Sequence, residues 1–197
     1  MSCTADPLTA SGLPDRAETR RVVVLGDSLA VSPRSSESFP AILQGRMSDL
    51  HLPWAVTNAG VRGDTTTGGL RRMEEQLGED VGVLVVALGA NDGVRGVALA
   101  TIEQNLATII ERAQTRGIAV LLCDMETPPL RGLQYSFGFH DIYPRLAAKY
   151  RVPLVPFLLS GVVLNSEMVG DDGIHPNKAG AAQIANTVWP YLKPLLK

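Results

Sequence analysis

Hydrophobic residues in this chain are concentrated in short uninterrupted runs separated by mixed or polar segments. Four runs of strand length cover residues 21–26, 81–89, 117–123 and 152–157, and a weaker run covers residues 54–60. Runs that are apolar on both faces are typical of parallel strands covered by helices on both sides. The pattern therefore predicts a mostly parallel sheet of about five strands.

The segments between these runs have helical character. They cover approximately residues 38–50, 66–78, 99–116, 137–150 and 177–195. Alternation of strands and helices in this order predicts a three-layer α/β/α sandwich with a flavodoxin-like arrangement.

Length and charge narrow the class of protein. The 197 residues are the size of one domain, and we expect a single domain over residues 21–197 preceded by a flexible polar leader over residues 1–20. The formal net charge is -2 and both signs are scattered, so the sequence predicts neither a nucleic-acid partner nor an anionic membrane partner. No run reaches the roughly 18 apolar residues of a membrane span. We expect a small-molecule partner, and the sequence leaves the oligomeric state and the location open.

Cysteine and histidine spacing does not indicate a redox or metal site. Cys123 closes an apolar run, which favours a buried core residue over a disulfide or a reactive thiol, and Cys3 lies far from it in sequence. No group of histidine and acidic residues has the spacing of metal ligands. The sequence therefore predicts no metal and no cofactor.

Four polar segments follow or end predicted strands, and they are "GDSL" at 26–29, "NAGVRGDT" at 58–65, "GAND" at 89–92 and "DDGIHP" at 171–176. In parallel α/β sheets, ligands bind outside the carboxyl ends of the strands, so these segments are expected to meet there. Ser28 ends the first strand. Its hydroxyl either faces a cleft as a nucleophile or caps the next helix.

His175 is the strongest candidate for a general base. An acidic residue close before it in a glycine-containing turn can hold Nδ1–H and leave Nε2 to accept a proton from a hydroxyl. Both Asp171 and Asp172 are candidates for that acid. In the alternative interpretation, these side chains only cap the last helix, in whose first turn Pro176 fits well.

Hydrogen-bond donors for an oxyanion are also present at this edge. Gly60 and Gly63 are either turn glycines or positions where a backbone N–H approaches a ligand closely. Asn91 either forms an Asx turn or points its side-chain amide at a developing oxyanion. A serine, a histidine with an acid, and converging N–H donors are the groups that acyl transfer requires.

The ordered blocks "GDSL", "VRGDT", "GAND" and "DGIH" resemble those of the GDSL or SGNH hydrolases, from residue 21 to about residue 190. The segments "NAGVRGDTTTGGL" and "DDGIHPN" are most similar to the bacterial thioesterase, arylesterase and lysophospholipase branch of that family. The resemblance implies a serine esterase that acts through an acyl-enzyme. Its substrates would be short to medium acyl and aryl esters, thioesters or lysophospholipids, with carbohydrate acetyl esters as the alternative.

The resemblance also implies roles for individual residues. Ser28 would be the nucleophile, and His175 would be the base oriented by Asp172. The N–H groups of Ser28 and Gly63 and the side chain of Asn91 would form the oxyanion hole. The "GDT" after the second of the two candidate glycines matches the second block of the family, and the D-x-x-H spacing selects the second of the two candidate acids.

Residues 125–144 form the longest loop-like stretch after a predicted core strand, and they offer a shallow apolar wall for an acyl group. Phe137 and Phe139 belong either to this wall or to the core face of a helix. A shallow wall favours short to medium acyl chains. The candidate substrate contacts are Leu29, Asp92, Pro129, Tyr135 and Ile174.

Two other interpretations compete with this one. "GDSLA" is similar to the G-x-S-x-G elbow of α/β-hydrolases with Ala30 in place of the last glycine, but Ser28 follows the first strand, which argues against that fold. A flavodoxin-like module could bind a phosphate or nucleotide at residues 63–69. The Lys-Ser/Thr pair of a P-loop is missing after Gly68, so this signal is weak.

Overall fold

A five-stranded parallel sheet lies at the centre of the computed structural model, which describes residues 19–197. The strands are β1 (Arg20–Gly26), β2 (Trp54–Gly60), β3 (Val81–Ala87), β4 (Ala119–Cys123) and β5 (Leu154–Val155). Their order across the sheet is β2-β1-β3-β4-β5, and every neighbouring pair is parallel. The predicted α/β class and flavodoxin-like order are therefore confirmed.

Helices connect and cover these strands. They are α1 (Ser28–Val31), α2 (Phe39–Asp49), α3 (Thr66–Gln76), α4 (Ala90–Arg95), α5 (Leu99–Thr115), α6 (Leu133–His140), α7 (Ile142–Tyr150) and α8 (Lys178–Leu192). Short 3-10 helices cover Ser35–Glu37, Pro129–Arg131 and Lys193–Leu195. Helices α2 and α8 pack together in one layer, and α3, α5 and α7 pack in the other.

The central strands are buried because helices cover both of their faces. All seven residues of β3 are buried, as are the last five of β1. At the carboxyl edge, Gly26 of β1 pairs with Gly60 of β2 and with Ala87 of β3. The loops that follow these three strands therefore begin at the same level of the sheet, which brings three of the polar segments together.

The loop after β3 depends on a glycine with an unusual backbone conformation. Gly89 has φ +120°, and a Cβ at this position would lie 1.9 Å from the hydroxyl of Tyr143. That hydroxyl donates to the carbonyl of Leu88 at 3.0 Å. A side chain at residue 89 is therefore excluded both by the backbone conformation and by the buried tyrosine.

The segment after β4 differs from the prediction. The loop-like stretch predicted over residues 125–144 was wrong before residue 137, because it contains a 3-10 helix and the start of α6, and the helix predicted over about 137–150 is divided between the end of α6 and α7. Helix α6 is anchored by Phe139, which is fully buried with its ring 6.4 Å from that of Tyr135 and 5.7 Å from that of Tyr143. Phe137 is 66% exposed, so of the two phenylalanines only Phe139 belongs to the core.

Cys123 is buried at the end of β4 with a free thiol, as predicted. Cys3 and most of the expected leader lie outside the described residues, and Arg20, the last residue assigned to the leader, is the first residue of β1. Within residues 19–197, no helix has both the length and the apolar character that crossing a membrane requires.

Candidate active site

Ser28 lies at the carboxyl edge of the inner strand β1, as the first residue of α1. The preceding residue, Asp27, caps this short helix by accepting a hydrogen bond from the N–H of Leu29 at 2.9 Å. A Cβ at Gly26 would lie 2.7 Å from the Cβ of Ala30, so the glycine allows the helix to fold back over the strand end. The turn therefore fixes the serine at the carboxyl edge of the sheet.

A hydrogen-bonded chain joins three of the predicted residues. The Nε2 atom of His175 lies 2.9 Å from the hydroxyl oxygen of Ser28, and Nδ1 lies 2.6 Å from Oδ2 of Asp172. Of the two candidate acids, Asp172 is therefore the one whose carboxylate reaches the imidazole. This geometry allows a proton to pass from the serine hydroxyl to the histidine while the carboxylate holds the other nitrogen.

The carboxylate of Asp172 is held by the local turn as well as by the histidine. Its Oδ1 accepts hydrogen bonds from the N–H groups of Ile174 at 3.0 Å and His175 at 2.9 Å. The hydrogen bond from the His175 side chain, followed by these two backbone bonds, lowers the pKa of Asp172 well below its usual range. The carboxylate is therefore ionised throughout the neutral pH range.

The turn that carries this acid and histidine is closed at its base. The N–H of Gly170 donates to the carbonyl of His175 at 2.9 Å, and the N–H of Gly173 donates to the carbonyl of Gly170 at 2.9 Å. Asn177 then caps α8 through its side-chain oxygen, which accepts from the N–H groups of Ala179 and Gly180. The histidine is thus positioned between a closed turn and a capped helix.

The two candidate glycines differ in what their N–H groups do. The N–H of Gly60 donates to the side chain of Asn58 at 3.0 Å. Gly63 has φ +73°, and its carbonyl accepts from Arg95 at 2.8 Å. Within residues 19–197, the N–H groups of Gly63 and Ser28 donate to no backbone acceptor. Gly63 is therefore the candidate whose N–H is available to a ligand.

Asn91 is at the same edge, but both hydrogens of its side-chain amide are engaged. Nδ2 lies 3.1 Å from Oδ2 of Asp27 and 2.9 Å from the carbonyl oxygen of Asp64. To donate to an oxyanion, the amide would have to share one of its hydrogens with the oxyanion or give up one of these two hydrogen bonds. Burial raises the pKa of Asp27 to about 6, against the opposing effect of its hydrogen bonds from Leu29 and Asn91.

Asp27 and Arg72 lie at the site but are not among the residues predicted from the sequence. Arg72 on α3 donates to the carboxylate of Asp64 at 2.7 Å, to the carbonyl of Gly26 at 2.8 Å and to the carbonyl of Ala59 at 2.5 Å. It therefore connects the ends of β1 and β2 to the loop of the second block. The aspartate of "GDSL" was visible as part of a motif, whereas nothing near Arg72 in the sequence indicates its partners.

Two of the candidate substrate contacts lie inside the protein. Leu29 is 5% exposed, and Asp92 is fully buried. The carboxylate of Asp92 accepts hydrogen bonds from the backbone N–H and the hydroxyl of Thr66 at 2.9 and 2.6 Å. In this arrangement, Asp92 connects the second block to the third and does not face the cleft.

The other three candidate contacts are accessible to different degrees. Ile174 is 68% exposed beside His175, and Pro129 is exposed on the 3-10 helix before α6. Tyr135 is partly buried and donates from its hydroxyl to the carbonyl of Val97 at 2.7 Å. Of these three, only Ile174 adjoins the hydrogen-bonded chain in sequence, and the hydroxyl of Tyr135 lies at the end of α4.

Among residues 19–197, the side chains with the arrangement of metal ligands lie outside this hydrogen-bonded chain. Asp124, Glu126 and His140 each offer one ligand atom, and these atoms lie within 4.8 Å of one another. The sequence spacing of these residues did not indicate the group, because it forms only when the fold brings the end of α6 close to the end of β4.

Comparisons with known proteins agree with the blocks found in the sequence. A family model described as the GDSL-like lipase/acylhydrolase family matches residues 24–183. Esterase TesA of Pseudomonas aeruginosa is 41% identical over 187 residues, which cover 93% of this chain and 93% of that protein. Thioesterase 1/protease 1/lysophospholipase L1 of Escherichia coli is 35% identical over 178 residues, which cover 89% of this chain and 84% of that protein.

A solved structure shares the whole architecture. The crystal structure of TesA is similar to this fold with a TM-score of 0.84 and 39% sequence identity. The similarity covers 90% of this chain and 100% of the solved chain.

Proposed function

Because the chain belongs to the GDSL-like lipase/acylhydrolase family and is an esterase of that family, we propose that Ser28 is its covalent nucleophile, with His175 as general base. In this proposal, Asp172 orients the histidine. The observation that carries the proposal is the hydrogen-bonded chain, with 2.9 Å from the serine hydroxyl to Nε2 and 2.6 Å from Nδ1 to the carboxylate.

In the first step, the oxygen of Ser28 attacks the ester carbonyl while its proton moves to Nε2 of His175. The bond to the alcohol then breaks, and Nε2–H gives its proton to the departing oxygen. The acyl group remains on the serine. Throughout this step, Asp172 keeps Nδ1 protonated and stabilises the imidazolium.

In the second step, water replaces the alcohol. His175 takes a proton from the water, which attacks the acyl-enzyme carbonyl. The bond to the oxygen of Ser28 breaks, the serine regains its proton from Nε2, and the carboxylic acid leaves. No group other than those of this chain and water is needed for the balance of the reaction.

The oxyanion formed in both steps is assigned to the N–H groups of Ser28 and Gly63 and to the side chain of Asn91. The two N–H groups have no backbone acceptor within residues 19–197, which supports their availability. The Asn91 amide already donates to Asp27 and to the carbonyl of Asp64, so its donation to the oxyanion requires one of those bonds to lengthen.

The test of the nucleophile is a serine-reactive phosphonate combined with Ser28→Ala. The alanine variant should fold and lose activity by at least about 10³-fold, as expected when a serine triad is dismantled. Ser36→Ala is the matched control, because Ser36 is exposed in the 3-10 helix that follows α1. Mass spectrometry should locate the phosphonate adduct on the peptide containing Ser28. An adduct on another residue, or full activity of Ser28→Ala, would exclude this nucleophile.

The acyl substrates are proposed to be short to medium in length, and α6 supplies the supporting observation. Leu133 and Phe137 lie one helical turn apart on α6 and are 64% and 66% exposed, and Leu130, on the 3-10 helix before it, is 72% exposed. This apolar strip is open to solvent and does not enclose a chain. It offers contact to a few methylenes, each worth about 0.8 kcal/mol when buried.

The substrate class is tested by comparing the acetyl, butyryl, octanoyl and palmitoyl esters of one phenol. We expect kcat/KM to rise from acetyl to butyryl or octanoyl and then to level off or fall. A clear preference for palmitoyl would contradict the proposal. An acyl thioester, a lysophospholipid and an acetylated sugar, assayed in parallel, distinguish the alternatives raised by the resemblance and by the names of the relatives.

A further inference from the structure

A second group of chemically active side chains lies where β4 ends. Asp124 is the first residue after β4, Glu126 follows two residues later, and His140 is the last residue of α6. One possible ligand atom from each residue lies within 4.8 Å of the other two. The group is distinct from the hydrogen-bonded chain of Ser28, His175 and Asp172.

Asp124 is buried, and one oxygen of its carboxylate has no hydrogen-bond partner in the described part of the chain. The residue is 7% exposed, and its Oδ1 atom has no hydrogen-bond partner within residues 19–197. Its backbone is fixed, because its N–H donates to Val155 and its carbonyl accepts from Leu158, both at 3.0 Å. An unpaired buried carboxylate is costly, and in native proteins such groups are paired or bind a metal ion.

The two partners of Asp124 in this group are more exposed. Nδ1 of His140 lies 2.5 Å from Oε1 of Glu126, and their side chains are 52% and 35% exposed. The hydrogen bond and charge of Glu126 raise the pKa of His140. Because these side chains are at the surface, both can adjust by small rotations around a ligand, whereas Asp124 is held in place.

We propose that Asp124, Glu126 and His140 bind one divalent transition-metal cation of the Zn²⁺ type. One imidazole nitrogen and two carboxylate oxygens form a donor set that suits Zn²⁺ better than Mg²⁺ or Ca²⁺, which prefer oxygen ligands alone. The cation would supply the missing partner of the Asp124 carboxylate. Burial is the main cause that raises the pKa of Asp124 to about 6, and the charge of Glu126 adds to it, while the charge of His140 opposes it.

The geometry needs only a small adjustment. Tetrahedral zinc ligands are separated by about 3.4 Å, which follows from metal–ligand distances of about 2.0–2.2 Å. The cation would replace the proton between Nδ1 of His140 and Oε1 of Glu126, and these two atoms would move apart from their present 2.5 Å. The ligand atoms that are now farthest apart, at no more than 4.8 Å, would move closer together. The bound cation would connect the end of β4 to the end of α6.

The test is isothermal titration of chelator-treated protein with ZnCl₂ alone. The wild type should bind one equivalent, and Asp124→Asn and His140→Gln should weaken binding by at least about tenfold. His51→Gln controls for the loss of an exposed histidine. His175→Gln controls for zinc at the hydrogen-bonded chain of the active site. Both control variants should bind zinc as the wild type does.

A second measurement keeps the result interpretable if a variant is unstable. Thermal unfolding without metal shows whether Asp124→Asn folds, and zinc should then raise the Tm of the wild type and of Ser28→Ala but not that of Asp124→Asn. Because the readouts are binding and Tm, their outcome is independent of ester hydrolysis.

Three outcomes would overturn the proposal. The first is that the wild type binds no zinc. The second is that Asp124→Asn and His140→Gln bind it as the wild type does, or that only His175→Gln loses it. The third is that CaCl₂ binds more tightly than ZnCl₂ and depends on the same residues, because the site would then not be of the transition-metal class.

Discussion

Two histidines of this protein are each paired with a carboxylate through Nδ1, but the third group beside each pair differs. The distance is 2.6 Å from His175 to Asp172 and 2.5 Å from His140 to Glu126. Beside the first pair is the hydroxyl of Ser28, and beside the second is the buried carboxylate of Asp124. The pair itself therefore does not define the chemistry, because the third group is a hydroxyl at the proposed nucleophile and a buried carboxylate at the proposed cation site.

The largest expected effect on kcat is that of His175→Gln, measured beside the same replacement at His140. His175→Gln removes the proposed base, so kcat should fall by at least about 10³-fold. His140→Gln should lower kcat by less than about tenfold. The assay measures hydrolysis of phenyl butyrate in buffer that contains a chelator. Circular dichroism confirms that both variants fold. Equal losses in both variants would show that the two pairs belong to one functional unit.

Asn91→Ala should have the next largest effect, because proton transfer at the first pair is productive only if the oxyanion is stabilised. The loss of one oxyanion donor costs about 10²–10³ in kcat with little change in KM. Steady-state kinetics separate the two parameters. A raised KM with normal kcat would instead make Asn91 a residue that binds substrate, and a lowered Tm with a parallel loss of both would make it a loop anchor for Asp27 and Asp64.

Asp27→Asn tests a buried carboxylate that accepts hydrogen bonds from Leu29 and Asn91. Its pKa is raised from 3.8 to about 6, so between these pH values the folded state binds more protons than the unfolded state. The free energy of unfolding of the wild type therefore loses up to about 3 kcal/mol from this group as pH rises from 4 to 7. The asparagine variant lacks this loss.

Urea unfolding at pH 4, 5, 6 and 7 checks this prediction through the difference between the wild type and Asp27→Asn. The subtraction removes the contributions of the other buried carboxylates, which both proteins share. A difference that stays constant with pH would mean that Asp27 is not a buried group with a raised pKa.

Phe137→Ser should have the smallest effect on activity, because it removes only one apolar contact with the acyl chain. Phe137 lies on α6, the helix that also carries His140. We expect kcat/KM for the octanoyl ester to fall by about fivefold while that for the acetyl ester changes by less than about twofold. Leu164→Ser is the matched control, because Leu164 is 99% exposed. A similar decrease for both esters would show that the α6 strip does not contact the acyl chain.

The two histidine pairs also explain how much of the site the sequence could predict. Asp172 and His175 lie three residues apart in one turn, so their contact is local and visible in the sequence. Glu126 and His140 are 14 residues apart in different parts of the chain, and their contact depends on how α6 packs. The fold was predictable because the buried strands are continuous apolar runs.

Site residues that were predicted because they adjoin a motif were predicted less well than those that end a strand or lie in a turn. Leu29 and Asp92 adjoin predicted site residues but point into the protein, because neighbouring residues of a helix face directions about 100° apart. The contacts of Arg72 were also not predicted, and its partners lie on two strand ends and one loop. Such contacts arise from the packing of α3 against the sheet and have no local pattern.

Arg72 also affects how the site can move. By holding the carbonyls of Gly26 and Ala59 together with the carboxylate of Asp64, it joins the strand that leads to Ser28 to the loop that contains Gly63. The nucleophile and the proposed backbone donor therefore move as one body. The distance between the attacking oxygen of Ser28 and the N–H of Gly63 is therefore expected to stay constant while an ester enters and leaves.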